Sequence, residues 1–465
     1  MSQITIIVDN QEYRVEDGEL LIDTLIDNGI EIPYFCYHKA LGADGNCRMC
    51  MVEIESQKRP QIACDTFVYD GMIVRTKGEK INQTRREILE LELINHPVDC
   101  PICDQAGECK LQDFYMDYGL YESRIAKSDK VKHAKHLDIG SNVILDQERC
   151  VLCARCTRFT ANVTKTHELG IIHRGDHACV STMPNRKLDN PYAMNVVDLC
   201  PVGALTSKDF RFSQRVWFLN STPSVCHGCA TGCNIFIDHN RPKYQEDTIY
   251  RFRPRFNEQI NGYFICDYGR LSYKALHEKR LHTPLWNSDA IEVESAKAKL
   301  HSLIKAAQTI LILVDANLYL EDMVAIAHFA KRLNATLVAP IANYYDESFA
   351  DSWLKSPYRC ANHEGVKQLG FAVELEQPKR FDLMINFNHP KSDEFEATQS
   401  IAFATHTTLK ANLLLPIPTY AQYSGTLINK EGIQQYCHQA IATKSKTISD
   451  WITLRDDILA GDESR

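Results

Sequence analysis

The start of the chain shows short strand-like and helix-like patterns of apolar positions. Ile4–Val8 and Gln11–Val15 alternate apolar with polar residues on either side of a turn, which predicts two strands. Leu20–Asn28 has helical spacing, and the following Gly29 is a typical stop. The pattern predicts a small β-rich domain with one helix. Further elements are predicted in the same way: strands at Met51–Ile54 and Ile73–Thr76, and helices over 79–95 and Leu111–Tyr118.

The pattern changes after residue 290 to buried strands that alternate with amphipathic helices. Thr309–Val314 is an apolar run of strand length, and Leu320–Leu333 has apolar residues at helical spacing. Further strands are predicted at Thr336–Ile341, Asp382–Phe387 and Asn412–Ile417. Because strands and helices alternate along the chain, we expect a parallel, doubly wound sheet.

Composition and charge exclude several classes of function. The 465 residues carry a net charge of −8 and contain no run rich in Lys and Arg, so we expect no nucleic-acid partner. The opening residues, MSQITIIVDN, lack the basic and apolar regions of a signal peptide. The longest apolar runs are too short to cross a bilayer. We therefore expect an intracellular protein that associates with a membrane only through partner subunits.

Soft metal ligands are concentrated between residues 36 and 266. Most of the 18 cysteines, together with one histidine, fall into four groups of four ligands. So many cysteines in a reducing compartment indicate metal ligands rather than disulfides, and their grouping indicates iron–sulfur clusters. The first set is Cys36, Cys47, Cys50 and Cys64; the second set is His96, Cys100, Cys103 and Cys109; the third set is Cys150, Cys153, Cys156 and Cys200; the fourth set is Cys226, Cys229, Cys233 and Cys266.

The first and fourth sets also admit a second interpretation, a structural zinc site. The first set lies in a loop with Gly42 and Gly45, where backbone N–H groups can turn toward cluster sulfurs. Zinc sites more often pair one C-x2-C with another, but the C-x2-C-x3-C run of the fourth set fits either metal. His227 lies inside that run and is not needed as a ligand. The cysteines outside the sets are interpreted as ordinary thiols: Cys179, Cys360 and Cys437.

The second and third sets each contain one ligand whose assignment depends on the other three. His96 follows the predicted helix over 79–95 and either caps that helix or binds a cluster. Three nearby cysteines without a fourth favour its role as a ligand. In the third set, Thr160 occupies the place of the usual fourth cysteine of a bacterial ferredoxin motif, and the Cys200-Pro201 pair supplies it instead.

Taken in order, the four sets resemble those of the iron–sulfur G subunit of respiratory complex I. The ten-residue gap between Cys36 and Cys47 resembles the two-iron ferredoxin domain of complex I and NAD-linked hydrogenase subunits. The fourth set resembles the cluster domain that opens molybdopterin-dependent oxidoreductases, and the passage Leu413–Gln435 resembles a part of the same fold. The resemblance implies one 2Fe-2S cluster in the first set and one 4Fe-4S cluster in each of the other three.

The resemblance also implies a function and partners. The expected function is electron transfer in the peripheral arm of an NADH:quinone oxidoreductase, from a flavin subunit that binds NADH toward the iron–sulfur subunits of the quinone module. The membrane arm would be reached indirectly, from the cytoplasmic face of a bacterial inner membrane. An electron-transfer subunit of an NAD-linked hydrogenase or formate dehydrogenase complex is the alternative, and a zinc-stapled assembly scaffold is a third possibility.

Missing motifs limit the cofactors of the chain. It contains neither the G-x-G-x-x-G of a dinucleotide site nor a P-loop, and no clear molybdenum ligand. We therefore expect no NAD, flavin or molybdopterin in this chain and no complete active site, so electrons must come from a partner. The redox chemistry would belong to the whole hetero-oligomeric complex.

The expected fold class is α+β, with several domains along the chain. The expected order is a two-iron ferredoxin β-grasp domain at 1–78, a four-iron domain with one His and three Cys ligands at 79–139, a four-iron ferredoxin-like domain at 140–219, a molybdopterin-oxidoreductase-type four-iron domain at 220–280, and a shortened α/β doubly wound domain of the same kind at 281–465.

Overall fold

The computed structural model of this chain describes residues 2–119, 121–175, 177–243, 246–375 and 380–453. The chain folds as two compact units, Met1–Phe218 and Leu219–Arg465. Both units mix helices with mostly short strands, as expected of an α+β protein with several domains. Among the described residues, no helix combines the length and the apolar character that crossing a membrane requires.

A five-stranded mixed sheet packed against one helix opens the first unit. Its elements are β1 (Gln3–Val8), β2 (Gln11–Glu16), α1 (Leu21–Asp27), β3 (Met51–Ile54), β4 (Gln61–Ile62) and β5 (Ile73–Arg75). The sheet order is β2-β1-β5-β3-β4, in which β1 pairs antiparallel with β2 and parallel with β5. Ile6, Leu21, Leu25 and Val74 are fully buried because the apolar positions of strand and helix face each other. This is the β-grasp arrangement that the sequence predicts.

The rest of the first unit consists of short elements joined by loops, which hold most cysteines of the second and third sets. The elements are α2 (Glu79–Leu93), α3 (Lys110–Tyr118), β6 (Leu137–Asp138), β7 (Val143–Leu145), α4 (Arg155–Arg158), β8 (Leu169–Ile172), β9 (Cys179–Thr182), α5 (Asn195–Leu199) and β10 (Leu205–Ser207). Helix α4 continues as a π-helical turn over Phe159–Val163. Strands β6, β7 and β10 form an antiparallel sheet, and β8 pairs with β9 as a hairpin.

An antiparallel meander opens the second unit and carries the fourth set. Its elements are β11 (Asn220–Val225), β12 (Asn234–Asn240), β13 (Thr248–Pro254) and the short helix α6 (Asp267–Leu271). The connection from β11 to β12 contains three cysteines of the fourth set, and the remaining one directly precedes α6. The meander therefore brings a tight loop and a helix start to the same set of ligands.

A seven-stranded sheet forms the core of the second unit. Its strands are β14 (Leu285–Trp286), β15 (Asp289–Ala290), β16 (Ile310–Val314), β17 (Thr336–Val338), β18 (Phe381–Phe387), β19 (Ala397–Ala404) and β20 (Leu413–Pro416). Five of them are parallel in the order β17-β16-β18-β19-β20, and the β14–β15 hairpin is antiparallel at the β20 edge. The predicted parallel sheet is confirmed. The remaining elements are α7 (Val293–Ala306), α8 (Leu320–Arg332), α9 (His363–Gln368), β21 (Gly425–Ile428), β22 (Gln434–Cys437) and α10 (Ile448–Ile452).

Four helices of this unit, α7 to α10, pack on one face of the parallel sheet. Residues of α7, α8, α9 and α10 share one buried cluster with Ile310, Ile312 and Val314 of β16. Leu311 and Leu313 point to the opposite face of the sheet. Among the described residues, the apolar cluster on that face consists of residues from strands and connecting loops, without a helix. A doubly wound sheet has helices on both faces, and that part of the prediction is not confirmed.

Candidate metal centres

The first set lies in the loops around β3 and β4. All four thiols are at most 6% exposed. Hydrogen bonds join Cys36 to Cys47 and to Cys64, and Cys50 to Cys64, so the structure brings the whole set together. The backbone N–H of Phe35 donates to the Cys47 sulfur over 3.4 Å. Hydrogen bonds from the thiols of Cys47 and Cys64 lower the pKa of Cys36, which favours the thiolate that binds iron.

The second set has its three cysteines together. Cys100 begins a 3-10 turn, Cys100–Ile102, and Cys109 directly precedes α3. Cys103 and Cys109 are each 8% exposed. Burial raises the pKa of the Cys109 thiol to about 11. The charge of Cys103 acts on Cys109, and the charge of Cys100 acts on Cys103, so the three thiols are near neighbours.

The His96 ring is not hydrogen-bonded to these three cysteines in the described part of the chain. Its Nδ1 accepts a hydrogen bond from the Val98 N–H over 3.2 Å. The ring lines a cavity with Cys47, Glu92 and Cys150, which includes ligands of the first and third sets. Burial lowers the pKa of His96 to about 4, so its imidazole is neutral at pH 7. The assignment of His96 as a ligand of the second set stays a prediction.

Replacing His96 by alanine tests that assignment. We expect His96→Ala to shift or abolish one four-iron EPR signal and to leave the other signals, because imidazole ligation changes the charge and potential of a cluster. His133→Ala is the matched control, since His133 lines the same cavity and has no predicted role. EPR and iron content are measured on the loaded protein. If all signals survive in the His96 variant, His96 is not a ligand.

The third set converges on one small apolar cavity. All four cysteines line it, and the other lining residues are Leu145, Val151, Ala154, Val180, Val202, Ala204 and Leu205. Burial raises the pKa of all four thiols, to about 12 for Cys153. The Leu152 N–H donates to the Cys150 sulfur over 3.4 Å. Four thiols, two of them buried and two half-buried, surround one apolar cavity, and such a set of soft donors fits iron.

Side chains between the first and third sets hold the two loops together. Arg158, at the end of α4, donates to the carbonyl oxygens of Leu41–Ala43 over 3.0 to 3.3 Å and also to that of Cys36. Asn46 donates to the Leu152 carbonyl over 3.1 Å. Because these bonds link residues on either side of both sets, they fix the separation of the two sets.

The second and third sets are in direct contact. The Lys110 N–H, which follows the last cysteine of the second set, donates over 2.9 Å to the carbonyl of Pro201, which follows the last cysteine of the third set. Gly203 lies so close to the Cys103 sulfur that a Cβ at this position would overlap it. Sequence spacing gave no signal for these contacts, since neither Lys110 nor Gly203 belongs to a ligand motif.

Ligands of three sets share one apolar cluster. It contains cysteines of the first, second and third sets, packed among large apolar side chains. Packed apolar side chains therefore connect these ligands, beside the cavity that Cys47, His96 and Cys150 line. The buried members are Phe35, Cys36, Cys47, Met49, Leu89, Cys109, Leu111, Val151, Cys153, Val202 and Ala204, with Cys150 and Cys200 packed against them.

The fourth set is assembled by the β11–β12 connection and the start of α6. Its four cysteines are 6% or 7% exposed. Burial raises the pKa of Cys226, Cys233 and Cys266, and the charges of neighbouring cysteines raise it further. The Gly228 N–H donates to the Cys226 sulfur over 3.4 Å, and the Gly269 N–H donates to the Cys266 sulfur over 3.3 Å. Backbone donors of this kind stabilise thiolates and tune bound clusters.

His227, inside the fourth set, packs as an aromatic side chain. Its ring stacks on Tyr420 with 3.8 Å between centroids and meets Tyr319 edge-on at 5.6 Å. Burial lowers the pKa of His227 to about 3, so the ring is neutral at pH 7. These contacts place the imidazole against two aromatic side chains, and its exclusion from the ligand set stays a prediction.

The remaining three cysteines are Cys179, Cys360 and Cys437, and the charge of the fourth-set Cys229 acts on Cys360. Cys179 is in β9 and is 8% exposed, whereas Cys360 and Cys437 are fully buried in apolar clusters of the second unit. Among the residues that the structure describes, no three His, Cys, Asp or Glu side chains are arranged to hold one metal ion. The ligands of an iron–sulfur cluster are divided among its two or four iron atoms, so they need not converge on a single point.

Three known domain families match successive parts of the chain. Residues 1–79 match the "2Fe-2S iron-sulfur cluster binding domain", which covers the first set. Residues 85–124 match the "NADH-ubiquinone oxidoreductase-G iron-sulfur binding region", which covers the second set. Residues 140–206 match "NADH-quinone oxidoreductase subunit 3, ferredoxin-like domain", which covers the third set.

Curated relatives are named as subunits of the same kind of complex. The NADH-quinone oxidoreductase G subunit of Streptomyces coelicolor is 38% identical over 338 residues, 70% of this chain and 39% of that protein. The G subunit of Rickettsia conorii is 38% identical over 289 residues, 62% of this chain and 42% of that protein. The NADH-ubiquinone oxidoreductase 75 kDa subunit of Reclinomonas americana is 40% identical over 282 residues, 61% of this chain and 40% of that protein. The chain thus spans about two fifths of the length of these relatives.

A solved structure shows a weaker similarity. A chain from the crystal structure of an NAD+-reducing [NiFe]-hydrogenase in the H2-reduced state matches with a TM-score of 0.42 and 27% sequence identity. The match covers 46% of this chain and 91% of that chain. A similarity at this level supports no argument about fold or function.

Proposed function

We propose that this chain, a homologue of the NADH-quinone oxidoreductase G subunit, is an electron-transfer subunit in the peripheral arm of an NADH:quinone oxidoreductase. It would pass electrons from a flavin subunit toward the quinone site. The observation that carries the proposal is the apolar cluster shared by ligands of three sets. Electron transfer between centres needs short, fixed separations, and packed side chains keep the ligands of these sets in place.

We assign a 2Fe-2S cluster to the first set and a 4Fe-4S cluster to each of the other three. The donor atoms are buried thiols and one imidazole, and backbone N–H groups lie 3.3 to 3.4 Å from a sulfur in the first, third and fourth sets. When bound, such clusters supply one-electron carriers. The residues of this chain would fix their spacing, exclude water and set the local charge.

We assign the main electron path to the second and third sets. Their direct contact through Lys110, Pro201 and Gly203 supports this assignment. The first set would be a side or connecting centre, since Arg158 and Asn46 tie its loop to the third set. The fourth set, which lies in the second unit, would be structural and off the path.

The proposed partners are a flavin subunit that binds NADH and the iron–sulfur subunits of the quinone module, with the membrane arm reached through them. The chain would sit peripherally at the cytoplasmic face of a bacterial inner membrane, held by these subunits. We propose that it binds no NAD, flavin, molybdopterin or nucleic acid itself. Residues 281–465 would form a shortened, doubly wound molybdopterin-oxidoreductase-like domain, and the four preceding segments would keep the bounds predicted from the sequence.

Rapid-freeze EPR of the purified complex that contains this chain tests the function. NADH should reduce the clusters of the second and third sets within one turnover, and added quinone should reoxidise them. A variant that lacks a fourth-set ligand, Cys226→Ala, should leave these rates unchanged in the assembled complex. Clusters that do not respond to NADH, in a complex with a nickel or molybdenum subunit, would instead identify a hydrogenase or formate dehydrogenase component.

A further inference from the structure

Two arginines of the first unit are buried without a carboxylate partner. Arg85 in α2 is 1% exposed, and Arg155 in α4 is 7% exposed. Within the part of the chain that the structure describes, the Nε of each has no hydrogen-bond partner. Among the described residues, neither guanidinium forms an ion pair with Asp or Glu within 4.0 Å. An arginine stays charged in proteins, so a buried one needs a compensating negative charge.

Two other arginines nearby, the buried Arg149 and the half-buried Arg158, do have such partners. Arg149 pairs with Asp99 at 2.9 Å and with Asp146 at 3.5 Å. Arg158 lies 3.9 Å from Asp44. Carboxylates therefore balance the charges of Arg149 and Arg158, whereas Arg85 and Arg155 have no carboxylate within 4.0 Å among the described residues.

Arg155 lies between the ligands of two sets. Its Nη1 donates to the Leu199 carbonyl over 3.1 Å, one residue before the last cysteine of the third set. Its guanidinium lies 5.6 Å from the ring of Tyr34, two residues before the first cysteine of the first set. The groups whose electrostatics act on it are the sulfurs of Cys153, Cys200 and Cys36, which would be negative as cluster ligands, and the phenol of Tyr34.

Arg85 faces the first set alone. Its Nη2 donates to the Met51 carbonyl over 3.2 Å, directly after Cys50, and its Nη1 donates to the Tyr118 hydroxyl over 3.3 Å. The groups whose electrostatics act on it are the Tyr118 hydroxyl, the Cys50 sulfur, which would be negative as a cluster ligand, and the Asp9 carboxylate. Asp9 forms no ion pair with it, and the Asp9 carboxylate accepts hydrogen bonds from Thr76 instead.

We propose that Arg155 and Arg85 are the buried counter-charges of the iron–sulfur centres, and that they raise the reduction potentials of those centres. The proposal rests on the proposed function, because it requires clusters in the first and third sets. A cluster held by four thiolates is negative, and reduction adds one more electron. A fixed cation nearby stabilises the reduced form more than the oxidised form, so removal of the cation lowers the potential.

Because Arg155 and Arg85 lie near different ligand sets, we expect them to affect the reduction potentials of different clusters. Arg155 should raise the potential of the third-set cluster most and that of the first-set cluster less. Arg85 should raise only the potential of the first-set cluster. Both act as positioning charges and not as ligands, so neither substitution should remove iron by loss of a donor atom.

Potentiometric titration followed by EPR on the iron-loaded full chain tests this. We expect Arg155→Gln to lower the midpoint potentials of both clusters and Arg155→Lys, which keeps the charge, to stay near the wild type. Arg85→Gln should lower only the first-set potential. The matched control is Arg75→Gln on the exposed end of β5, which should change neither. Because buried charges are screened little by salt, the shifts should persist at high ionic strength.

These measurements distinguish a failure of the counter-charge role from a failure of the proposed electron-transfer function. Unchanged potentials in Arg155→Gln and Arg85→Gln, with iron content intact, would overturn the counter-charge role. If Arg155→Gln does not load iron, Arg85→Gln decides alone: a lowered first-set potential supports the inference, and an unchanged one contradicts it. Absence of the two-iron and four-iron signals in the wild type would instead contradict the proposed function.

Discussion

Cys200→Ala is expected to abolish the four-iron EPR signal of the third set and to lower the iron content by up to about four atoms per chain. Cys200 comes from a separate segment between α5 and β10, whereas Cys150 and Cys153 lie in the loop before α4 and Cys156 lies in α4 itself. All four line the same apolar cavity. Without Cys200, one iron atom of the cluster has no protein ligand, and the three remaining cysteines cannot coordinate all four irons.

Cys179→Ala is the matched control for that experiment. Cys179 is a buried cysteine in β9, and its neighbour Val180 lines the cavity of the third set although Cys179 does not. We expect Cys179→Ala to keep all signals and the full iron content. If Cys179→Ala loses the third-set signal and Cys200→Ala keeps it, then the assignment of the fourth ligand is wrong.

Gly203→Ala is expected to disturb the second set although it removes no ligand. A Cβ at this position would overlap the Cys103 sulfur and would come within 3.1 Å of the Gln105 Cβ. The added methyl group must displace either Cys103 or the loop that follows Cys200. We expect loss or strong broadening of the second-set EPR signal, with a smaller change in the third, measured on the iron-loaded chain.

Gly228→Ala gives the comparison for this prediction. Gly228 also lies beside a ligand, but a Cβ there would be 3.4 Å from the Cys226 sulfur and would need little movement. We expect the fourth-set signal to survive in Gly228→Ala. Equal and intact signals in both glycine variants would show that the second and third sets are not packed as closely as we infer.

The predicted bounds of strands and helices agree with the structure where the local pattern of apolar residues is strong. Strands β1 and β2 and helix α1 end within one residue of their predicted bounds, because alternation and helical spacing are strong in these segments. Strand β17 stops at Val338, short of the predicted Ile341, since Pro340 cannot donate to the ladder. Strand β19 was not predicted, because its first half is polar and gains its structure from pairing with β18 and β20.

The ligand sets could be predicted, whereas the contacts between them could not. Cysteine spacing is a local signal, and the structure gathers the four thiols of the first, third and fourth sets. The bonds that fix these sets relative to one another join distant residues: Arg158 to Cys36 across 122 positions and Asn46 to Leu152 across 106. Such pairs form only when the chain has folded, so they cannot be predicted from the spacing of cysteines. His96 remains the ligand that spacing favours and that no contact in the described residues supports.

Metal and sulfide analysis of the loaded chain, combined with EPR, tests the central claim most directly. The account predicts one two-iron and three four-iron clusters, which amounts to about 14 iron atoms with matching acid-labile sulfide and little zinc. The reduced protein should show one two-iron spectrum and several distinct four-iron spectra. Mostly zinc, with little sulfide and no iron–sulfur EPR signal, would contradict the claim that the four sets hold redox centres.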